Sequence, residues 1–112
     1  MTTITDDFMR EMLGKSREYS LVLLHYTPRR QEPGADRIVW EHGRRNFQLR
    51  AEGVLSIVGP VVGGTELAGI GIFDATPERT REIMEADPGV QAGLFTYEVL
   101  TIRGFPGDAL PT

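Results

Sequence analysis

Few side chains in this sequence can exchange a proton near neutral pH. There are two histidines, His25 and His42, and no cysteine. A thiol nucleophile, a Cys-ligated metal and a disulfide framework are therefore excluded. The spacing of apolar residues predicts a helix over residues 36–52, with Asp36 near its start and Gly53 as its stop. On a wheel of about 100° per residue, Arg37, Glu41, Arg44, Arg45, Gln48 and Glu52 share a polar arc. Ile38, Val39, Trp40, Gly43, Phe47 and Leu49 fill the remainder, and His42 lies among them, aimed inward. A second helix is expected from the cap signal Thr76-Pro77-Glu78 to about Asp87, where Pro88 and Gly89 stop it. Thr80, Ile83, Met84 and Asp87 form one face of that helix. Asp87 is its last inward position, where a carboxylate meets the negative end of the helix dipole and needs compensation.

If both helices cover the same face of a sheet, His42 and Asp87 approach each other. An imidazole whose tautomer is set by a carboxylate is a general acid or base. The competing reading is structural: a packed histidine, and an aspartate that ends a helix through local hydrogen bonds. Other candidates carry less. His25, near a strand end and on the same side as Leu21 and Leu23, reads as a core or rim residue. Tyr26, at the same strand end, is a candidate pocket wall or interface residue. Arg29 and Arg30 lie in the loop leading to the His42 helix, and they either guide an anionic substrate or are simply solvated. The histidines and Asp87 fall on different faces without a tight ligand spacing, so no metal site is expected. No Gly-rich turn follows a strand and opens a helix, so no nucleotide or other cofactor is expected. Ser16, Ser20 and Ser56 lack a nucleophile-elbow context.

The elements that must position these residues follow from the same pattern. Residues 20–26, 54–62, 66–74 and 92–102 read as strands, and Gly63-Gly64 marks a hairpin between the middle two. With the two helices the order is β-α-β-β-α-β, a ferredoxin-like α+β arrangement. A third, N-terminal helical stripe contains Phe8, Met9, Met12 and Leu13. The boundaries predicted are an N-terminal extension over 1–18, a domain over 19–103 and an irregular tail over 104–112. Each strand is apolar on both faces, and strands of that kind need cover on both sides. Two helices cover one side only, so a homodimer through the open sheet face is expected.

Composition sets outer limits. At 112 residues the chain makes one domain, with 40% hydrophobic and 25% charged residues. A net charge of −4 argues against general nucleic-acid binding. The apolar runs are too short for a membrane span, and the Thr- and Asp-rich start does not read as a secretory signal. A cytoplasmic location is expected. Arginine supplies every basic residue except Lys15, which reflects either base composition or anion recognition.

The run Ile57-Val58-Gly59-Pro60 after the His42 helix, followed by Asp87-Pro88-Gly89-Val90-Gln91-Ala92-Gly93-Leu94, resembles the YCII-related family. Members pair a helix histidine with the aspartate of a DP-x-x-x-A-G segment, within the dimeric α+β barrel superfamily. The resemblance implies that His42 and Asp87 form such a pair in a small-molecule pocket. It also implies acid–base chemistry of lyase or isomerase type, and one activity in the family is dehydrochlorination of a chlorinated aromatic diol. The alternative is a non-catalytic ligand-binding or assembly protein with a structural His–Asp pair; a cofactor-free oxygenase rests on fold analogy alone. Two departures stand out. The N-terminal extension exceeds what a minimal member needs, and Gly89 stands where an aromatic residue is common, a change expected to widen the pocket.

Overall fold

The computed structural model describes residues 1–112. Helix α1 (Asp6–Lys15) leads into strand β1 (Arg17–Tyr26). A short 3-10 turn (Pro28–Gln31) then connects to helix α2 (Ala35–Ala51). Strands β2 (Leu55–Pro60) and β3 (Leu67–Phe73) form a hairpin, followed by helices α3 (Pro77–Glu85) and α4 (Pro88–Gln91) and by strand β4 (Phe95–Gly104). The four strands form one antiparallel sheet in the order β2-β3-β1-β4. This is the ferredoxin-like α+β fold, with α2 to α4 packed on one face. No helix is long and apolar enough to cross a membrane.

Local chemistry explains the boundaries. Thr76 accepts a hydrogen bond from Arg79 N and places Pro77 at the first helical position, so α3 starts there. Gly63 and Gly64 both have positive φ, 107° and 75°, which the turn between β2 and β3 requires. The strict alternation expected for β2 fails at Ser56. A register shift there sets both Leu55 and Val58 on the helix side and leaves Ile57 opposite Ile72. Strand β1 begins at Arg17, three residues before its expected start, because Arg17 to Tyr19 still pair with Ile102 to Gly104.

The largest departure concerns the segment after Thr76. The sequence predicts one helix running to about Asp87 and a strand beginning at residue 92. Instead α3 ends at Glu85, α4 follows from Pro88, and β4 starts at Phe95. Proline cannot continue a helix but is well suited to open one. The chain therefore breaks at Ala86-Asp87 and starts again.

The core lies between the helices and the sheet. Val22, Leu24, Leu55, Phe73, Ile83, Met84, Leu94 and Phe95 are all buried in it. Trp40 and Phe47, which the wheel set among the apolar residues of α2, are 70% and 66% exposed. On the opposite face of the sheet, Leu21, Leu23, Ile57, Ile70, Ile72 and Ile102 are only partly buried, and Leu100 is exposed.

One tie between layers carries a pH dependence. Tyr97 on β4 donates a 2.6 Å hydrogen bond to Glu85 Oε2 at the end of α3. Desolvation, then the bond to Glu85, pushes the phenol up from 10.0 to about 12. Between those values the unfolded chain has released a proton that the folded chain retains. The stabilisation is therefore intact below pH 10.0 and is lost as pH rises toward about 12. Denaturant unfolding of the Tyr97→Phe variant across this range is expected to lack that alkaline decline, and phenolate absorbance of the parent chain should show one tyrosine titrating late.

Candidate active site

His42 and Asp87 meet. His42 Nδ1 lies 2.7 Å from Asp87 Oδ1, with both side chains nearly buried, 11% and 1% exposed. On the other side of the ring, Asn46 Nδ2 lies 3.2 Å from Nε2. An amide nitrogen only donates and a carboxylate only accepts. These partners suit an imidazole that donates from Nδ1 to Asp87 and turns Nε2 to the Asn46 amide.

The break in the chain explains how a buried carboxylate is tolerated. Asp87 is the N-cap of α4, and its Oδ2 accepts from Gly89 N at 2.9 Å and from Val90 N at 3.1 Å. The expectation of an unfavourable C-terminal position is corrected: the carboxylate faces the positive end of the next helix rather than only the negative end of the last. Its two oxygens divide the work, Oδ2 capping α4 and Oδ1 holding His42. A cation adds to this balance. Arg45 Nη1 stands 3.7 Å from Asp87 Oδ1, too far for a hydrogen bond, and it is buried with no other partner. The helical wheel puts Arg45 on the polar arc of α2, but its side chain folds back toward the aspartate and is 23% exposed.

Beside this pair lies a cavity of about 280 Å³. Its walls are mostly apolar: Val39, Leu55, Val58, Met84, Phe95 and Phe47 among others, with Gly59-Pro60 of β2 and Gly69 to Gly71 of β3. His42, Asn46 and Tyr26 bring its polar groups. The Phe95 ring lies against the imidazole, with centroids 4.8 Å apart and planes at 44°, and Tyr26 follows at 5.7 Å from Phe95. Gly89 does not widen the cavity. A Cβ at that position would stand 2.5 Å from Phe95 Cδ2, so the missing side chain makes room for the ring that packs on His42.

Of the residues singled out from sequence, His42, Asp87 and Tyr26 are gathered here. Arg29 and Arg30 are not among the cavity walls. Arg30 Nη1 binds Asp36 at 2.8 Å, and Arg29 faces Glu32 at 3.5 Å and lies close to Gly93. His25 points to the open sheet face, 2.7 Å from Glu98 Oε2. No three His, Asp or Glu side chains converge as a metal-binding group. Asn46, Arg45 and Phe95 escaped the sequence reading. The first two were within its reach, since positions i+4 and i+3 from His42 lie beside it on a helix.

Asp87→Asn should expose the division of labour. The single amide oxygen can cap α4 or accept from His42, not both. If it caps, its NH₂ group faces Nδ1 and requires the imidazole hydrogen to sit on Nε2. The expected result is a change from the Nδ1–H to the Nε2–H tautomer in heteronuclear NMR, with a stability loss of about 1–3 kcal/mol.

Among solved structures, the chain is similar to 5-chloro-2-hydroxyhydroquinone dehydrochlorinase from Burkholderia phenoliruptrix AC1100, determined in complex with 2,5-dihydroxybenzoquinone. The likeness covers 80% of this chain and 95% of that one, at 17% identity and a TM-score of 0.52, and it supports the shared fold. No curated protein sequence matches. The family model of the YCII-related domain matches residues 19–103, which contain every strand pairing and side chain of the site apart from the outer ends of β1 and β4, and the chain belongs to the YCII-related family.

Proposed function

We propose that this protein binds a small, ring-sized organic molecule beside His42 and acts on it by general acid–base catalysis, as a lyase or isomerase related in chemistry to a dehydrochlorinase. The observation that carries this reading is an imidazole with Asp87 behind it and an apolar cavity of about 280 Å³ in front of it. Asp87 holds the Nδ1–H and stabilises the imidazolium that forms when Nε2 takes a proton. In an elimination, Nε2 takes the proton of a ring hydroxyl or of an activated C–H. The electron pair released becomes a new C=O or C=C bond, and the leaving group departs with its own bonding pair, as chloride in a dehydrochlorination. In an isomerisation the same proton returns at another atom. Asn46 would yield Nε2 to the substrate. Tyr26 and the apolar walls would orient the ring and exclude water. The relative's ligand, 2,5-dihydroxybenzoquinone, is a ring of suitable class for a first probe.

One observation favours a second reading. Both imidazole nitrogens already have hydrogen-bond partners, Asp87 and Asn46. A structural pair in a ligand-binding protein would look the same.

We further infer that two copies pair through the open sheet face, where Leu21, Leu23, Ile70 and Ile72 are only partly buried. Strands apolar on both sides require such cover. Light scattering at micromolar concentration is expected to give a dimer mass, and Leu23→Asp to make the pair dissociate at higher concentration than the parent. A monomer mass for the parent chain would remove this inference.

For the chemistry, chloride release from 5-chloro-2-hydroxyhydroquinone should fall by about 10²-fold or more in His42→Ala, while binding of 2,5-dihydroxybenzoquinone is retained. Full turnover in that variant would sink the acid–base reading. Tight binding by the parent protein with no turnover would favour the second reading.

A further inference from the structure

Helix α1 is well made at both ends and buries nothing. Thr5 Oγ1 accepts from Phe8 N at 3.1 Å to start it. At its other end Arg103 of β4 donates from Nε to Ser16 Oγ at 3.0 Å and from Nη2 to Ser16 O at 3.3 Å. Arg17, the next residue, is paired with Asp74 at 3.1 Å. The angle at which the helix leaves the sheet is thus held from two sides. None of its residues is buried, however, and Phe8, Met9 and Leu13 are 43%, 47% and 57% exposed. Isolated helices shorter than about 12–15 residues are marginal in water, and α1 has 10. Its apolar stripe needs cover that its own chain does not supply. The family match begins at residue 19, so this need is separate from the shared domain.

A second surface on the same chain is equally bare. Trp40 and Phe47 stand two turns apart on the exposed side of α2, with Phe47 at the rim of the His42 cavity, 70% and 66% exposed. Arg37 and Arg50 flank them, and neither makes an ion pair or a side-chain hydrogen bond. Helix α1 carries the opposite sign at its start: Asp7 is paired with Arg10 at 3.0 Å, and Asp6 is without a partner. An apolar stripe with an acidic end and an apolar pair flanked by arginines complement each other in both shape of polarity and charge. They do not meet within one chain.

We propose that α1 is an arm that lays its Phe8–Leu13 stripe on the Trp40–Phe47 face of a second copy of this chain. Two such contacts about a two-fold axis satisfy both chains and leave no open end. Phe47 is also a wall of the His42 cavity, so the arm of one copy backs the site of the other. The proposal stands independently of the acid–base reading, since it requires only the two bare surfaces.

Trp40 is the only tryptophan, and its fluorescence reports the contact. In the parent protein it is expected to emit to the blue and to resist acrylamide. In a Phe8→Glu/Leu13→Glu variant it should shift to the red and be quenched severalfold more strongly. Both changes fall on residues of α1 classed as exposed in their own chain, and removal of residues 1–15 should act alike. Co-refolding the double variant with a Trp40→Phe chain tests where the arm comes from, because that chain supplies an intact arm and no emission of its own. Recovery of the blue, protected signal supports an arm acting between copies. The proposal is overturned if Trp40 behaves identically in parent and double variant, whether protected or exposed in both, or if co-refolding restores nothing.

Discussion

The site depends on a single break in the chain. Had the helix that starts at Pro77 continued, Asp87 would lie at its C-terminal end, a charged group in the wrong field and without donors. Because Pro88 forces a restart, Asp87 becomes the cap of α4, and two backbone N–H groups take up Oδ2. Only then can Oδ1 be committed to His42 at a buried position. The bond between the two side chains is the visible part. The physical condition beneath it is that a carboxylate with almost no exposure must have its charge compensated from several directions.

The surroundings supply that compensation and then use it. Arg45 adds a cation at 3.7 Å, an interaction of field rather than of hydrogen bonding. The Phe95 ring packs against the imidazole, and it can do so because residue 89 has no side chain. In this way one short segment, Asp87-Pro88-Gly89, sets the charge, the chain direction and the packing of the histidine. The sheet contributes the opposite wall, where the glycines of β3 and the Gly59-Pro60 end of β2 keep the cavity from being filled.

Much of this was legible beforehand. The order of elements followed from apolar periodicity and from strong turn and cap signals, and the inward aim of His42 followed from the wheel. The partner of His42 was identified correctly although the reason given for its position was not. The wheel treated residues 77–87 as one helix, and it could not show that the next proline opens a new one. The reading of α2 failed in both directions. Trp40 and Phe47 were set among inward residues and lie outside, while Arg45 was set outside and folds in. A wheel gives the direction of a Cα–Cβ bond, whereas a long arginine can bend toward a buried carboxylate. Arg29 and Arg30 have the right charge for anion guidance, pair with Glu32 and Asp36 respectively, and do not line the cavity beside His42.

What the residues alone determined is therefore the alphabet of the site: a lone inward histidine, an aspartate before Pro-Gly, and strands apolar on both faces. These are local properties, fixed by side-chain type and by periods of 3.6 and 2. Tertiary structure decided the rest. It set the 2.7 Å approach of His42 and Asp87, the seating of the imidazole between Asp87 and Asn46, and the cavity beside it. Each of these depends on segments brought together by folding, and such distances arise only when the helices are seated on the sheet.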